Sequence, residues 1–150
     1  MLKVLFLCTE NACRSQMAEA LVNHFLAGQV QAFSAGVAPT RVNPRAVQVM
    51  AEMGIDIRSQ QSKSVDDLAG EQFDLVITVC DQAREQCPFF PGPTEIQHMG
   101  FPDPARATGT EEEIQTAFRR VAADLKAKLI PWLQKKSLGQ SPGAGENLLT

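Results

Sequence analysis

The 150-residue chain is bounded first by what it does without. It has no block of lysine and arginine and no basic–aromatic interleaving, and its formal net charge is -3, which turns the reading away from nucleic acid. No apolar run approaches the roughly 20 residues that a membrane-spanning helix needs, so no membrane role is expected. The apolar stretch at the N-terminus is short and leads directly into Glu10 and Arg14, which is not the pattern of a secretory signal. The expected setting is therefore cytoplasmic, where four cysteines serve catalysis or metal binding more readily than a disulfide framework. Metal is disfavoured in turn, because the usual zinc-ligand spacings are missing and neither His24 nor His98 has a partner at ligand spacing. Internal repeats are absent, and so is tyrosine. No additional apolar stripe calls for an obligate dimer, so a monomer is expected.

What is present suits one domain with a proper core, at 44% hydrophobic residues. Lys3 to Leu7 is a short apolar run and reads as a buried strand. From Ser15 onward, Met17, Ala18, Leu21, Val22 and Phe25 recur at the three- and four-residue steps of an amphipathic helix. Val30 to Ser34 reads as a second strand ending at Ala35-Gly36. Asn43-Pro44 opens a helix that carries Ala46, Val47, Val49, Met50 and Met53 and stops at Gly54. Gln60 to Lys63 is polar loop, followed by a short turn or helix near Asp66 to Leu68. Phe73 to Val79 is the clearest core strand and delivers Cys80 at its carboxyl end.

The stretch from Cys80 to Cys87 is compatible with a helix before Pro88. Pro88 to Pro104 holds five prolines and must be mostly extended, with Ile96 in a short fourth strand. A last helix is expected from about Thr110 to about Trp132, striped by Ile114, Phe118, Val121, Leu125, Leu129 and Trp132, with Pro131 kinking or ending it. Beyond Lys136 the composition is that of a disordered tail, so residues 1–136 are expected as the catalytic domain and 137–150 as an appendage. The fold class expected is α/β: one domain, with a four-stranded parallel sheet flanked by helices on both faces.

The chemistry concentrates in Cys8-Thr9-Glu10-Asn11-Ala12-Cys13-Arg14-Ser15, which joins the end of the first strand to the start of a helix. Unpaired N–H groups and the macrodipole at that helix end favour an anion. Arg14 adds a planar fork that matches two oxygens of a phosphate or arsenate. The same field favours Cys8 as thiolate, the nucleophilic form. Cysteine, five residues and arginine is a weak pattern by itself, and its placement at the carboxyl edge of a parallel sheet is what raises it. The plainer alternative makes Cys8 the last buried residue of a strand and Arg14 a solvated charge.

Cys80 follows the third strand and so reaches the same edge. Seven helical residues span about 10 Å, whereas a disulfide needs Cα atoms within about 7 Å, so a Cys80–Cys87 bridge requires the segment between them to unwind. Asp81 to Gln86 is polar enough to loop out. The alternative is strand-end packing for Cys80 and a chance surface thiol for Cys87. Cys13 reads as a small side chain packed under the loop, open to off-pathway oxidation with Cys8. Asp103, between Pro102 and Pro104, is either a general acid reaching the anion site or a turn carboxylate.

Through Cys8-x5-Arg14-Ser15 and the late Asp103-Pro104, the chain resembles the low-molecular-weight protein tyrosine phosphatase fold. With Asn11, Cys13, the continuation Arg14-Ser15-Gln16-Met17-Ala18-Glu19 and the Cys80/Cys87 pair, it looks like the thioredoxin-coupled arsenate reductases built on that fold. The resemblance runs from about Lys3 to Leu133. It implies Cys8 as nucleophile, and Arg14 with the loop residues Thr9, Glu10, Asn11, Ala12, Cys13 and Ser15 as the oxyanion cradle. It further implies Asp103 as proton donor, Cys80 and Cys87 as relay thiols, arsenate as substrate, no bound cofactor, and thioredoxin or glutaredoxin as external reductant.

Ala105 stands where the phosphatases carry tyrosine after their Asp-Pro, and a phosphatase needs no second and third cysteine. The competing expectations are a small phosphatase acting on phosphotyrosine or phosphoarginine, and a non-catalytic thiol sensor or oxyanion-binding module. Some relatives hold potassium through positions matching Asn11, Glu19 and Ser34, plus a carboxylate where this chain has Lys63. The Lys63 ammonium is expected to take that cation's place and pair with Glu19.

Overall fold

The computed structural model describes residues 1–68, 70–88, 90 and 92–140. β1 (Leu2–Cys8) runs through the middle of a parallel sheet, with β2 (Val30–Gly36) on one side and β3 (Leu75–Thr78) on the other. β4 (Glu95–His98) lies beyond β3 at the edge, giving the order β2-β1-β3-β4. Strands flanked and covered on both faces need apolar residues throughout, and β1 and β3 are buried at nearly every position. β4 has one neighbour and leaves Glu95 and Ile96 exposed, so its sequence signal is faint. The chain leaves β1 toward β2 and β3 toward β4, in opposite directions across the sheet. The carboxyl ends of β1 and β3 therefore flank the topological switch point, where open α/β sheets bind ligands.

The helices are α1 (Arg14–Phe25), α2 (Pro44–Glu52), α3 (Asp81–Glu85) and α4 (Glu111–Gln140), with single 3-10 turns at Val65–Leu68 and Pro104–Arg106. Asn43 caps α2 by accepting from the Arg45 amide, and Pro44 sits in the first turn where its missing N–H costs nothing. α4 packs against α1 and α2 through Phe118, Val121, Leu125 and Leu129, all buried. No helix among the described residues is long and apolar enough to cross a membrane.

Three boundaries differ from expectation. α4 passes through Pro131 and Trp132 and continues to Gln140. Pro131 and Ala127, whose carbonyl loses its partner, both lie on the exposed side where water can bond, while Leu129 and Leu133 are fully buried on either side of the proline. Core packing overrides the local break. Residues 137–140, expected in a disordered tail, belong to this helix, and 141–150 lie outside the described residues. α3 is also shorter than the Cys80–Cys87 span, with Cys80 as its N-cap and Cys87 beyond its end.

Candidate active site

Cys8 closes β1, and the following turn wraps back on itself to start α1 at Arg14. That turn requires Asn11 to adopt a left-handed backbone, φ 52°, which asparagine tolerates better than most residues. Buried polar bonds hold it there. The Asn11 side-chain amide donates to Ser15 Oγ at 2.8 Å, and its Oδ1 accepts from Gln16 Nε2 at 2.9 Å and from the Lys63 amide at 3.0 Å. Gln16 is fully buried; its Nε2 also reaches the carbonyls of Asn11 and Gln61, and its Oε1 accepts from Gln60 at 2.7 Å. Outside the loop, the Glu10 carbonyl accepts from Ser62 Oγ at 2.7 Å. Gly36 pairs with Cys8 across the sheet, and a Cβ there would lie 2.7 Å from the Thr9 carbonyl oxygen and 2.9 Å from the Asn11 nitrogen. Only glycine lets β2 approach the loop so closely.

The loop borders a cavity of about 540 Å³ lined by Cys8, Thr9, Glu10, Ala12, Cys13 and Arg14, with Cys80, Asp81, Gln82, Asp103, Ala105 and Arg106 opposite. Arg14 Nη1 donates to the Phe101 carbonyl at 3.0 Å, and Nη2 lies 3.7 Å from Asp103 Oδ2. Its Nε–H is buried with no partner among the described residues, a donor left over for an anion. The α1 N-cap, Cys13, makes no side-chain capping bond, so the first-turn amides are free of a competing cap. Asp103 is held by the 3-10 turn it caps, accepting from the Ala105 amide at 3.0 Å.

Cys80 meets Cys8 across this cavity. The two thiols are hydrogen-bonded, and Cys80 Sγ also lies 3.1 Å from Thr9 Oγ1 and 3.4 Å from the Ala83 amide at the start of α3. The bond with Cys8, then those from Thr9 and Ala83 and the charge of Arg14, draw the Cys80 thiol down to about 5 against the cost of burial. The same bond, followed by burial, pushes Cys8 well above its ordinary value, against the pull of Arg14. The two thiols titrate as a coupled pair, with the acidity drawn toward Cys80. Cys8 is expected as the nucleophilic thiolate; in this state Cys80, with the Ala83 amide and the Thr9 hydroxyl beside its sulfur, is the more acidic of the two thiols.

The other two thiols are quieter. Burial, then the nearby Asp103 carboxylate, pushes Cys13 up to about 12 despite Arg14. Cys87 is half-buried, lies outside the cavity lining, and is pushed up by burial. Asn11 and Ser15 stand behind the cavity wall rather than in it, each fully buried. Glu19, Ser34 and Lys63 form a separate group behind the loop. Ser34 Oγ donates to Glu19 Oε1 at 2.6 Å, Lys63 Nζ lies 3.8 Å from the same oxygen, and Nζ also donates to the Gln61 carbonyl at 3.1 Å. With an ammonium already facing Glu19, these residues do not fit an additional potassium ion.

A thiol, a guanidinium and a carboxylate around an anion loop at the switch point suggest a relationship that comparison with known proteins decides. The pattern of the low molecular weight phosphotyrosine protein phosphatase family matches residues 3–141. The chain belongs to that family. It is 44% identical over 126 residues to an arsenate reductase of Bacillus subtilis (strain 168), across 84% of this chain and 91% of that protein. Among solved structures, an arsenate reductase in the oxidized state matches with a TM-score of 0.77 at 29% identity, over 90% of this chain and 98% of that one. A thioredoxin-dependent arsenate reductase of Corynebacterium glutamicum matches with a TM-score of 0.68 at 27% identity, over 91% of this chain and 63% of that one.

Within this phosphatase family architecture, two contributors were missed by sequence reasoning. Gln16 was quoted only as part of a motif, yet its buried amide ties the loop to residues 60 and 61. His98 has no partner at ligand spacing in the sequence, and the structure puts it against Thr78 and Asp81, on either side of Cys80. Nothing local marked either: by helical period Gln16 lies opposite the apolar stripe of α1.

Proposed function

We propose that this phosphatase-family protein reduces arsenate to arsenite through Cys8, Cys80 and Cys87, and that a dithiol protein of the thioredoxin class restores it. The observation that carries the reading is the Cys80 thiol, which lines the same cavity as Cys8, the loop and Arg14. The relatives named arsenate reductases support it.

Arsenate sits on the loop amides and Arg14. Cys8 passes its proton along the hydrogen bond to Cys80 and becomes the nucleophile. Its sulfur bonds to arsenic, and the displaced hydroxide leaves as water with a proton that the Asp103 carboxylate relays from the bound dihydrogen arsenate. Cys80 then gives the proton it took to an oxygen of the arsenic adduct and, as thiolate again, attacks Cys8 Sγ. The sulfur–sulfur bond forms, the sulfur–arsenic bond breaks, and its electron pair goes to arsenic, which departs as arsenite and takes up protons. Arsenic(V) becomes arsenic(III), and two thiols become one disulfide. Cys87 attacks Cys80 next and frees Cys8 as thiolate, while the span 81–86 unwinds to let the two sulfurs meet. Exchange with the dithiol reductant returns Cys80 and Cys87 to thiols. Glu19, Ser34 and Asn11 support the loop, with Lys63 supplying the positive charge behind it.

The test is Cys87→Ser with arsenate, thioredoxin, thioredoxin reductase and NADPH, repeated with the glutaredoxin system. One arsenite per chain and no sustained NADPH oxidation are expected. Sustained turnover in Cys87→Ser would overturn the relay, and the better-supported reductant names the partner class. Absence of arsenite in the native chain would favour the thiol-sensor alternative.

A further inference from the structure

We propose that His98 is a positioning residue for Cys80, a clamp that grips the chain on both sides of that sulfur and must let go when α3 unwinds; the inference rests on the Cys80–Cys87 relay proposed above. His98 ends β4 and pairs in register with Thr78, the last residue of β3. Its Nδ1 lies 2.8 Å from Thr78 Oγ1, and its Nε2 lies 3.3 Å from Asp81 Oδ1. Thr78 is two residues before Cys80 and Asp81 is one after it. Both ring nitrogens thus have a neighbour; in the tautomer with Nε2–H toward the Asp81 carboxylate, Nδ1 accepts the Thr78 hydroxyl. One imidazole therefore bridges the fixed strand and the first residue of the relay segment.

The two arms are unequal. Thr78 is almost fully buried, and main-chain bonds fasten the chain around it: the Met99 amide donates to the Thr78 carbonyl and the Phe101 amide to that of Val79. Beyond Cys80 the hold is lighter, resting on the buried Ala83 and the contact of Asp81. α3 has five residues, too few to be stable by themselves, and among the described residues no other α3 side chain bonds to the sheet. Asp81 is exposed, and its contact with His98 can break without uncovering apolar surface. Gly100 leaves the ring its room, since a Cβ there would lie 3.3 Å from His98 Nε2.

A clamp of this kind acts oppositely on the two halves of the relay. While closed, it aims Cys80 at Cys8; once Cys80–Cys87 has to form, it resists. Removing it slows the attack on the Cys8–arsenic adduct and does not slow the step that unwinds α3. Damage to the fold as a whole would slow both.

The experiment follows one turnover of the full chain with arsenate and no reductant, quenched by acid and read by mass spectrometry for the two disulfides. His98→Ala is expected to release arsenite about tenfold more slowly, as for a modest misplacement of a reacting group. Its inhibition constant for inorganic phosphate should match the native one, because the loop is intact. The Cys8–Cys80 species should accumulate less than in the native chain. His98→Gln, whose amide can donate to Asp81 and accept from Thr78, should recover most of the rate. Asp81→Ala, a surface change that spares folding, should give a smaller slowing of the same kind. Native arsenite release in both His98→Ala and Asp81→Ala, or joint slowing of both steps with weakened phosphate binding, would overturn the clamp. Cys80→Ser separates the two proposals: if it still turns over, the relay itself fails, whereas an inactive Cys80→Ser beside a native-like His98→Ala removes only the clamp.

Discussion

Replacing Thr9 by valine removes one hydrogen bond to Cys80 and changes almost nothing else in shape. Thr9 Oγ1 lies 3.1 Å from Cys80 Sγ, and with the sulfur as thiolate the hydroxyl is the donor. A hydrogen bond to a charged group is worth about 1.5–3 kcal/mol, and 1.36 kcal/mol corresponds to one pKa unit. Thr9→Val should therefore carry Cys80 from about 5 to about 6–7, still below its ordinary 9.0 because Cys8, the Ala83 amide and Arg14 remain. The sign follows from the direction: a depressed pKa keeps the thiolate as pH falls, until the folded-state value is crossed. At pH 6 roughly nine-tenths of native Cys80 would be thiolate, against about a tenth to a half in the variant. Iodoacetamide reacts with the thiolate, so the alkylation rate of Cys80, resolved from the other three cysteines by peptide mass spectrometry, traces the titration. Cys8 should stay protonated through the neutral range. A native Cys80 that titrates near its ordinary value, or a Thr9→Val curve superimposed on the native one, would refute the argument.

Gly36→Ala should cost about 1–3 kcal/mol, because the new Cβ meets the Thr9 and Asn11 backbone at 2.7 and 2.9 Å and neither atom can swing away. Thermal unfolding checks it, and a Tm equal to that of the native chain would contradict it. Lys63 holding its ammonium 3.8 Å from Glu19 makes native turnover indifferent to replacement of potassium by a large organic cation at fixed ionic strength, whereas Lys63→Asp should create a dependence; strong potassium activation of the native chain would refute this. Gln16→Leu should destabilise by about 1–3 kcal/mol in urea unfolding, since the Gln60 amide and the Asn11 Oδ1 each lose a buried partner, and an unchanged midpoint would show that the network is slack.

The parts of this molecule that sequence exposed are those whose signals are local. An apolar run, a cysteine at its end, an arginine six residues on and a helical stripe all lie within Lys3 to Phe25, and they locate the loop. The alternation of strands and helices extends this to the sheet, and Cys80 is carried to the switch point by β3 alone. What stayed hidden depends on residues distant in sequence. Gln16 looks like a solvent-facing polar residue until Gln60 and Gln61 arrive from the other side of the loop. His98 has no neighbour in sequence to explain it, and its meaning comes from Thr78 in the adjacent strand. Pro131 is the reverse case: a strong local stop signal, outweighed by the burial of Leu129 and Leu133. The coupling of the two thiols also needed three dimensions, because sequence shows Cys8 beside a helix start and Arg14 but not Cys80 in the same cavity.

That second sulfur also explains how a phosphatase-family loop comes to serve reduction. Any tetrahedral oxyanion on Arg14 and the loop amides can be attacked by Cys8, so the first covalent step does not distinguish phosphate from arsenate. The fate of the adduct does. Water resolves it by attacking the central atom, with no change of oxidation state, which is hydrolysis. Cys80 resolves it by attacking sulfur, which forces an electron pair onto the central atom. Phosphorus(V) does not accept that pair under thiol-reducing conditions, whereas arsenic(V) does. In the mechanism proposed above, Cys80 lines the same cavity as Cys8, with Thr9 and Ala83 donating to its sulfur, and so is in place to take the second route. The loop binds both anions; the neighbour of Cys8 and the redox chemistry of the bound element together decide which reaction is completed.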